Sequence, residues 1–122
     1  MFKGSILIAE DDTILRELYV KKFGNEGYEI RAAEDGEQAI AAIKERAPDL
    51  MICDIRMPGV DGFQVLKEFP KESRKFPIIM LTNFDQEDLK KRALEMGADD
   101  YCMKTDFTMN GLVEKVESMR HL

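Results

Sequence analysis

The sequence predicts an α/β domain in which five parallel strands alternate with five helices, a (βα)5 doubly wound sheet. Three observations predict it. Short apolar runs at 5–9, 50–53 and 77–82 are bounded by turn or acidic residues, as strands buried on both faces are. Between them the apolar period lengthens to that of a helix. The alternation is strict along the chain, which implies βαβ units, right-handed crossovers and helices on both faces of the sheet.

The first strand, SILIA at 5–9, ends in Glu10, Asp11 and Asp12. From 13 to 24, Ile14, Leu15, Leu18, Tyr19 and Phe23 recur at helical spacing, with Arg16, Glu17, Lys21 and Lys22 on the polar side. Asp12 or Thr13 caps this helix, and Gly24 with Gly27 ends it. A weaker strand follows at 28–33. Residues 36–47 form the second helix, with Ala39, Ile40, Ile43 and Ala47 on one face and Pro48 as its stop. The run 50–53 is the third strand and halts at Asp54, within DLMICDIRMPGVDG. Pro58 and Gly59 permit a sharp reversal, and Asp61 caps a third helix at 63–69. PIIMLT, 77–82, is the fourth strand. Asp85 caps a helix at 86–96 that turns Leu89, Ala93 and Met96 inward and ends at Gly97. The fifth strand is 98–103. The last helix, 112–119, shows Leu112, Val113, Val116 and Met119 as its stripe. Apolar residues on these stripes are read as core.

A chain of 122 residues is read as one domain, 1–122. With 44% apolar and 34% charged residues it has the composition of an ordinary globular protein. A net charge of −6 argues against sequence-independent binding of nucleic acid. No run approaches the roughly 20 apolar residues of a membrane helix, and the apolar start is too short for a secretory signal. The expected location is the cytoplasm. Cys53 and Cys102 lie in strand-like runs, so buried free thiols are expected rather than a disulfide.

Strand ends carry the chemistry. Glu10 and Asp11 follow the first strand, Asp54 ends the third, Thr82 ends the fourth, and Lys104 follows the fifth. In a parallel sheet all of these share one edge, the edge where open α/β sheets bind ligands. Converging carboxylates repel and raise one another's pKa values. A hard divalent cation relieves that, and Mg2+ favours one or two carboxylates, a carbonyl and waters. Nucleophilic Asp, hydroxyl and Lys around a metal make a phosphoryl-transfer site. No Gly-rich loop follows the first strand, so dinucleotide binding there is poorly supported.

Glu10-Asp11 after ILIA, Asp54 in DIRMPGVDG, Thr82 in IIMLT, and Tyr101 with Lys104 in GADDYCMK together resemble a response-regulator receiver domain of two-component signalling. The likeness covers essentially the whole chain. It implies a flavodoxin-like fold with strand order 2-1-3-4-5. It implies that Asp54 accepts a phosphoryl group from a histidine kinase or phosphotransfer protein, as in a phosphorelay. Mg2+ would be held by Asp11 directly, by Glu10 through water, by Asp54 and by the Arg56 carbonyl. Thr82 and Lys104 would bind the phosphoryl oxygens. Thr82 and Tyr101 would be the switch pair, altering the face of the fourth helix, fifth strand and fifth helix for a downstream protein. Such a chain catalyses its own phosphorylation and dephosphorylation but is not a turnover enzyme. Family members often pair through that same face, so a homodimer is one implied state.

Two departures bear on this. Thr105 follows Lys104 where the family commonly has Pro, often cis; a non-proline cis bond costs about 3 kcal/mol, so a trans bond and a reshaped loop are expected. Asn83 follows Thr82 where a small residue is usual, and Arg56 and Phe84 flank the same site, so these side chains are expected to influence phosphoryl lifetime. Two other classes stay open. An aspartate-nucleophile phosphatase needs a second Asp two residues after the nucleophile, where Arg56 stands. A degenerate receiver acting as a phosphorylation-independent binding module is disfavoured by the intact set of Glu10, Asp11, Asp54, Thr82 and Lys104. The chain is read as a stand-alone regulator or a piece of a longer protein.

Overall fold

The computed structural model describes residues 2–83, 87–105 and 108–119. Ten elements alternate as expected: β1 (Ser5–Ala9), α1 (Thr13–Asn25), β2 (Glu29–Ala33), α2 (Gly36–Glu45), β3 (Leu50–Asp54), α3 (Gly62–Glu68), β4 (Ile78–Thr82), α4 (Glu87–Glu95), β5 (Asp100–Met103) and α5 (Met109–Met119). The strands pair in parallel in the order β2-β1-β3-β4-β5. From β1 the chain moves outward to β2, then returns past β1 to β3. The direction of winding thus reverses between β1 and β3, which makes the crevice at their carboxyl ends the topological switch point.

Successive side chains of a strand point to opposite faces, and the central strands divide their apolar residues accordingly. Leu7, Met51, Cys53, Ile78 and Met80 pack with Ala39, Ile43, Phe63, Val65, Leu66 and Ala93 from α2, α3 and α4. Ile6, Ile8, Leu50, Ile52, Ile79 and Leu81 pack with Tyr19, Phe23, Leu112, Val113 and Val116 from α1 and α5. β3 and β4 are buried along their whole length. Burying each such Leu or Ile is worth about 1.5–3 kcal/mol, so the middle of the sheet is held from both sides.

Register then sets the heights of the strand ends. Ala9 pairs with Cys53, Asp54 with Leu81 and Thr82 with Met103. Glu10, Asp54, Thr82 and Lys104 therefore emerge in adjacent rows. The path after β3 is set by glycines. Gly59 has φ +72°, open to glycine at little cost. Gly62 donates its N–H to the Ile55 carbonyl at 2.8 Å. A Cβ on it would stand 2.5 Å from the Asp54 carbonyl oxygen. Asp61 caps α3 in a reciprocal capping box with Gln64.

Several expectations change. On α1, Ile14 and Leu18 are not in the core: they are 72% and 50% exposed, and Tyr19 and Phe23, with half-buried Leu15 and Val20, face the sheet instead. Arg16 leaves the polar side, as described below. Ala47 is exposed because α2 ends at Glu45, before it. Cys53 and Cys102 are both free and lie on opposite faces of the sheet, but only Cys53 is fully buried. No cis peptide occurs among the described residues, in keeping with Thr105 in place of Pro. The Asp85 cap, the start of the fourth helix at Gln86, and Phe84 lie outside the described residues. Among the described residues, no helix is long and apolar enough to cross a membrane.

Candidate functional site

Five of the sequence-predicted residues line one hollow of about 270 Å³ at the carboxyl edge: Glu10, Asp11, Asp54, Arg56 and Lys104, with Asp12, Leu15 and Asn83 completing it. Oxygens of the Glu10, Asp11 and Asp54 carboxylates all lie within 4.8 Å of one another. Glu10 and Asp54 are buried, whereas Asp11 is exposed. This is a set of hard oxygen donors on three sides of a space, and its chemistry fits Mg2+.

Lys104 is the counter-charge. Its Nζ donates to Glu10 Oε1 at 2.6 Å and to Asp54 Oδ2 at 3.0 Å, and its side chain is only 7% exposed. Glu10 Oε2 also accepts the Asp12 N–H at 3.2 Å, while Asp12 turns its own carboxylate to cap α1 through the Leu15 N–H. Burial, with the hydrogen bond and charge of Glu10, pushes the Asp54 carboxyl up to about 7, and Lys104 offsets only part of that. Burial works against the Lys104 ammonium, but its bonds to Glu10 and the charges of Asp54 and Glu10 outweigh it and raise its pKa. Beneath the hollow, burial pushes the Tyr19 phenol up to about 12, so it stays neutral.

Thr82 joins the site by its backbone: its carbonyl accepts the Lys104 N–H at 2.7 Å. Its side chain is buried at the end of β4. Tyr101 is not part of the hollow. It pairs with Met80 and lies half-buried against the apolar layer shared with α2, α3 and α4.

Arg16 was not singled out by sequence. Its side chain is 13% exposed; Nη1 donates to the Glu10 carbonyl at 2.9 Å and, more weakly, to the Asp11 carbonyl at 3.4 Å. One signal pointed to it: a cation near the start of a helix, where the helix dipole disfavours one.

A sequence model described as "Response regulator receiver domain" matches residues 6–117. "Probable transcriptional regulator ycf27" of Porphyridium aerugineum is 36% identical over 98% of this chain and 49% of its own length. The "Alkaline phosphatase synthesis transcriptional regulatory protein PhoP" of Bacillus subtilis is 37% identical over 81% of this chain and 41% of its own length. The chain thus spans about half the length of these curated relatives or less. Among solved structures, the Francisella response regulator 1452 receiver domain superposes with a TM-score of 0.90 at 29% identity, with 98% of each chain covered. A CheY-like receiver domain protein from Methanospirillum hungatei reaches 0.91 at 28% identity, covering 99% of this chain and 95% of its own. Family model, relatives and topology agree, and the chain belongs to the response regulator receiver domains of two-component signalling.

Proposed function

We propose that this receiver is a phosphoryl-accepting switch in which Asp54 is the acceptor. Receiver domains are phosphorylated by histidine kinases. Here an Asp54 carboxylate oxygen would attack the phosphorus of a phosphohistidine, on the kinase or on a phosphotransfer protein. A P–O bond forms, the P–N bond breaks, and the imidazole leaves with the electron pair. Mg2+ would be held by Asp11, Asp54 and the Arg56 carbonyl, with Glu10 acting through water; when bound it offsets charge on the transferring phosphoryl oxygens. Lys104 supplies a positive charge on the other side of Asp54, and Thr82 a hydroxyl donor. The phosphoryl adds about two negative charges and three strong acceptors. Lys104 would turn from Glu10 toward those oxygens, and Thr82 with Tyr101 would carry the change to the face of α4, β5 and α5. The reader of that face would be a protein, since a chain of net charge −6 offers nucleic acid little attraction. The reaction is stoichiometric, so the chain is not a turnover enzyme.

One observation carries the proposal: three carboxylates within 4.8 Å, with a buried lysine bonded to two of them, at the switch point of the sheet. Incubation with acetyl phosphate and Mg2+ is expected to add one phosphoryl group by intact mass, and Asp54→Asn to add none. Modification of that variant at wild-type yield would refute the assignment. Failure of the wild type to bind Mg2+ or accept a phosphoryl would favour a binding module independent of phosphorylation.

A further inference from the structure

Arg16 is the side chain through which α1 reaches the acidic loop. Thr13 opens the helix, so Arg16 stands about one turn inside its positive end. The helix dipole disfavours a cation there, and no acid in the first turn of α1 offsets it. Two carbonyls compensate, those of Glu10 and Asp11, at 2.9 and 3.4 Å from Nη1. The other arm, Nη2, lies 3.5 Å from Glu34 Oε1 just beyond β2. Glu10 is also held by its own N–H to the Ala33 carbonyl at 3.0 Å. Asp11 is the exposed residue between that anchor and the Asp12 cap. Nη1 alone reaches both carbonyls while Nη2 turns to Glu34, so the planar guanidinium fixes the direction of the donor shared between them; an ammonium is a freely rotating point charge.

We propose that Arg16 is a positioning residue for the metal: by gripping the carbonyls of Glu10 and Asp11 it presets their carboxylates for a hard divalent cation. This rests on the Mg2+ assignment above. Arg16 would then act in two opposed ways. Its charge repels an incoming cation, while its hydrogen bonds organise the ligands that bind it. The proposal is that organisation outweighs repulsion.

The opposition makes the test decisive. Mg2+ binding to the full chain is measured by titration calorimetry, with circular dichroism and thermal midpoints recorded for every variant. Arg16→Lys keeps the charge and loses the fixed donor direction; it is expected to bind about tenfold more weakly or worse, the usual cost of removing an outer-sphere partner. Arg16→Gln loses both and is also expected to bind more weakly. Glu34→Gln leaves both carbonyl bonds in place and removes only an exposed ion pair, so it should stay within about twofold of wild type. Unchanged affinity in Arg16→Lys, or tighter binding in Arg16→Gln, overturns the proposal, because charge alone then accounts for the residue. Equal weakening in Glu34→Gln and the Arg16 variants also overturns it, by assigning the effect to the ion pair. Should Arg16→Lys fail to fold, Arg16→Gln and Glu34→Gln carry the same comparison. A wild-type chain that binds no Mg2+ overturns the metal assignment itself, a result distinct from the other three.

Discussion

Lys104 is the residue on which the metal-free site depends. Two buried carboxylates converge on one ammonium, which is 7% exposed. Removing one partner of a buried ion pair leaves uncompensated charge, at a typical cost of about 3–5 kcal/mol. The cost here is expected at the lower end, because Asp54 already resists ionisation and can take up a proton. In EDTA, Lys104→Met is therefore expected to lose about 3 kcal/mol in urea denaturation. Asp54→Asn should behave oppositely. It removes one of two crowded negative charges while keeping an oxygen that can accept from Lys104. The variant is expected to unfold at higher urea than wild type at pH 8 without metal. A lower midpoint for Asp54→Asn would mean that Asp54 is a net stabiliser and that the site stores no repulsion. Functional groups that destabilise the fold they sit in are a common trade, and at this scale the sequence was informative. Glu10, Asp11, Asp54 and Lys104 could be picked out because acids and a lysine at the ends of apolar runs have no core role. Arg16 was not, because its partners are backbone carbonyls and the one mark it left, a cation near a helix start, does not name them.

Among the elements, α3 shows how a backbone contact fixes the acceptor. Asp61 and Gln64 close its capping box, and Gly62 brings its first turn against the end of β3. A Cβ at Gly62 would meet the Asp54 carbonyl oxygen at 2.5 Å, the Met80 methyl at 2.6 Å and the Ile55 Cα at 2.9 Å. Two of those three atoms are backbone and cannot step aside without moving the strand. Gly62→Ala is thus expected to cost about 1–3 kcal/mol by overpacking. It should also slow acetyl phosphate labelling by displacing Asp54. Wild-type stability and labelling together would show that α3 can move without disturbing β3. Element order, type and most boundaries were legible, since period and punctuation both spoke for each one. The error on α1 has a physical cause. Ile14 and Leu18 keep helical spacing with the core residues, but they lie to one side of the face that Tyr19 and Phe23 press on the sheet. Apolar spacing alone counted them as buried.

For the molecule as a whole, strand order was the part that spacing could not supply, because pairing is set by packing among distant segments. The edge opposite the acidic site shows what secures it there. Arg74, whose side chain is 2% exposed, donates to the carbonyls of Phe69, Phe76 and Gly97 and to Asp99 Oδ2. It ties the segment before β4 to the turn between α4 and β5. Asp99 in turn accepts the Ile78 N–H at 2.8 Å, at the first residue of β4, and Lys71 lies 3.3 Å away. Burial by itself would raise the Asp99 pKa, but the Ile78 N–H, Arg74 and Lys71 outweigh it and hold the carboxyl below its usual range. A carboxyl with a depressed native pKa contributes stability above its unfolded pKa, near 3.9. That contribution is lost as pH falls through the lower native value. Asp99→Asn should therefore cost about 1.5–3 kcal/mol at pH 7, the worth of hydrogen bonds to a charged group. The deficit relative to wild type should narrow as pH drops below about 3.9, where the unfolded carboxyl takes up its proton, and close as pH falls through the lower native value. Urea denaturation at stepped pH checks both parts. A deficit that stays constant from pH 7 to pH 3 would show that the Arg74 network relies on shape at Asp99 rather than on its charge.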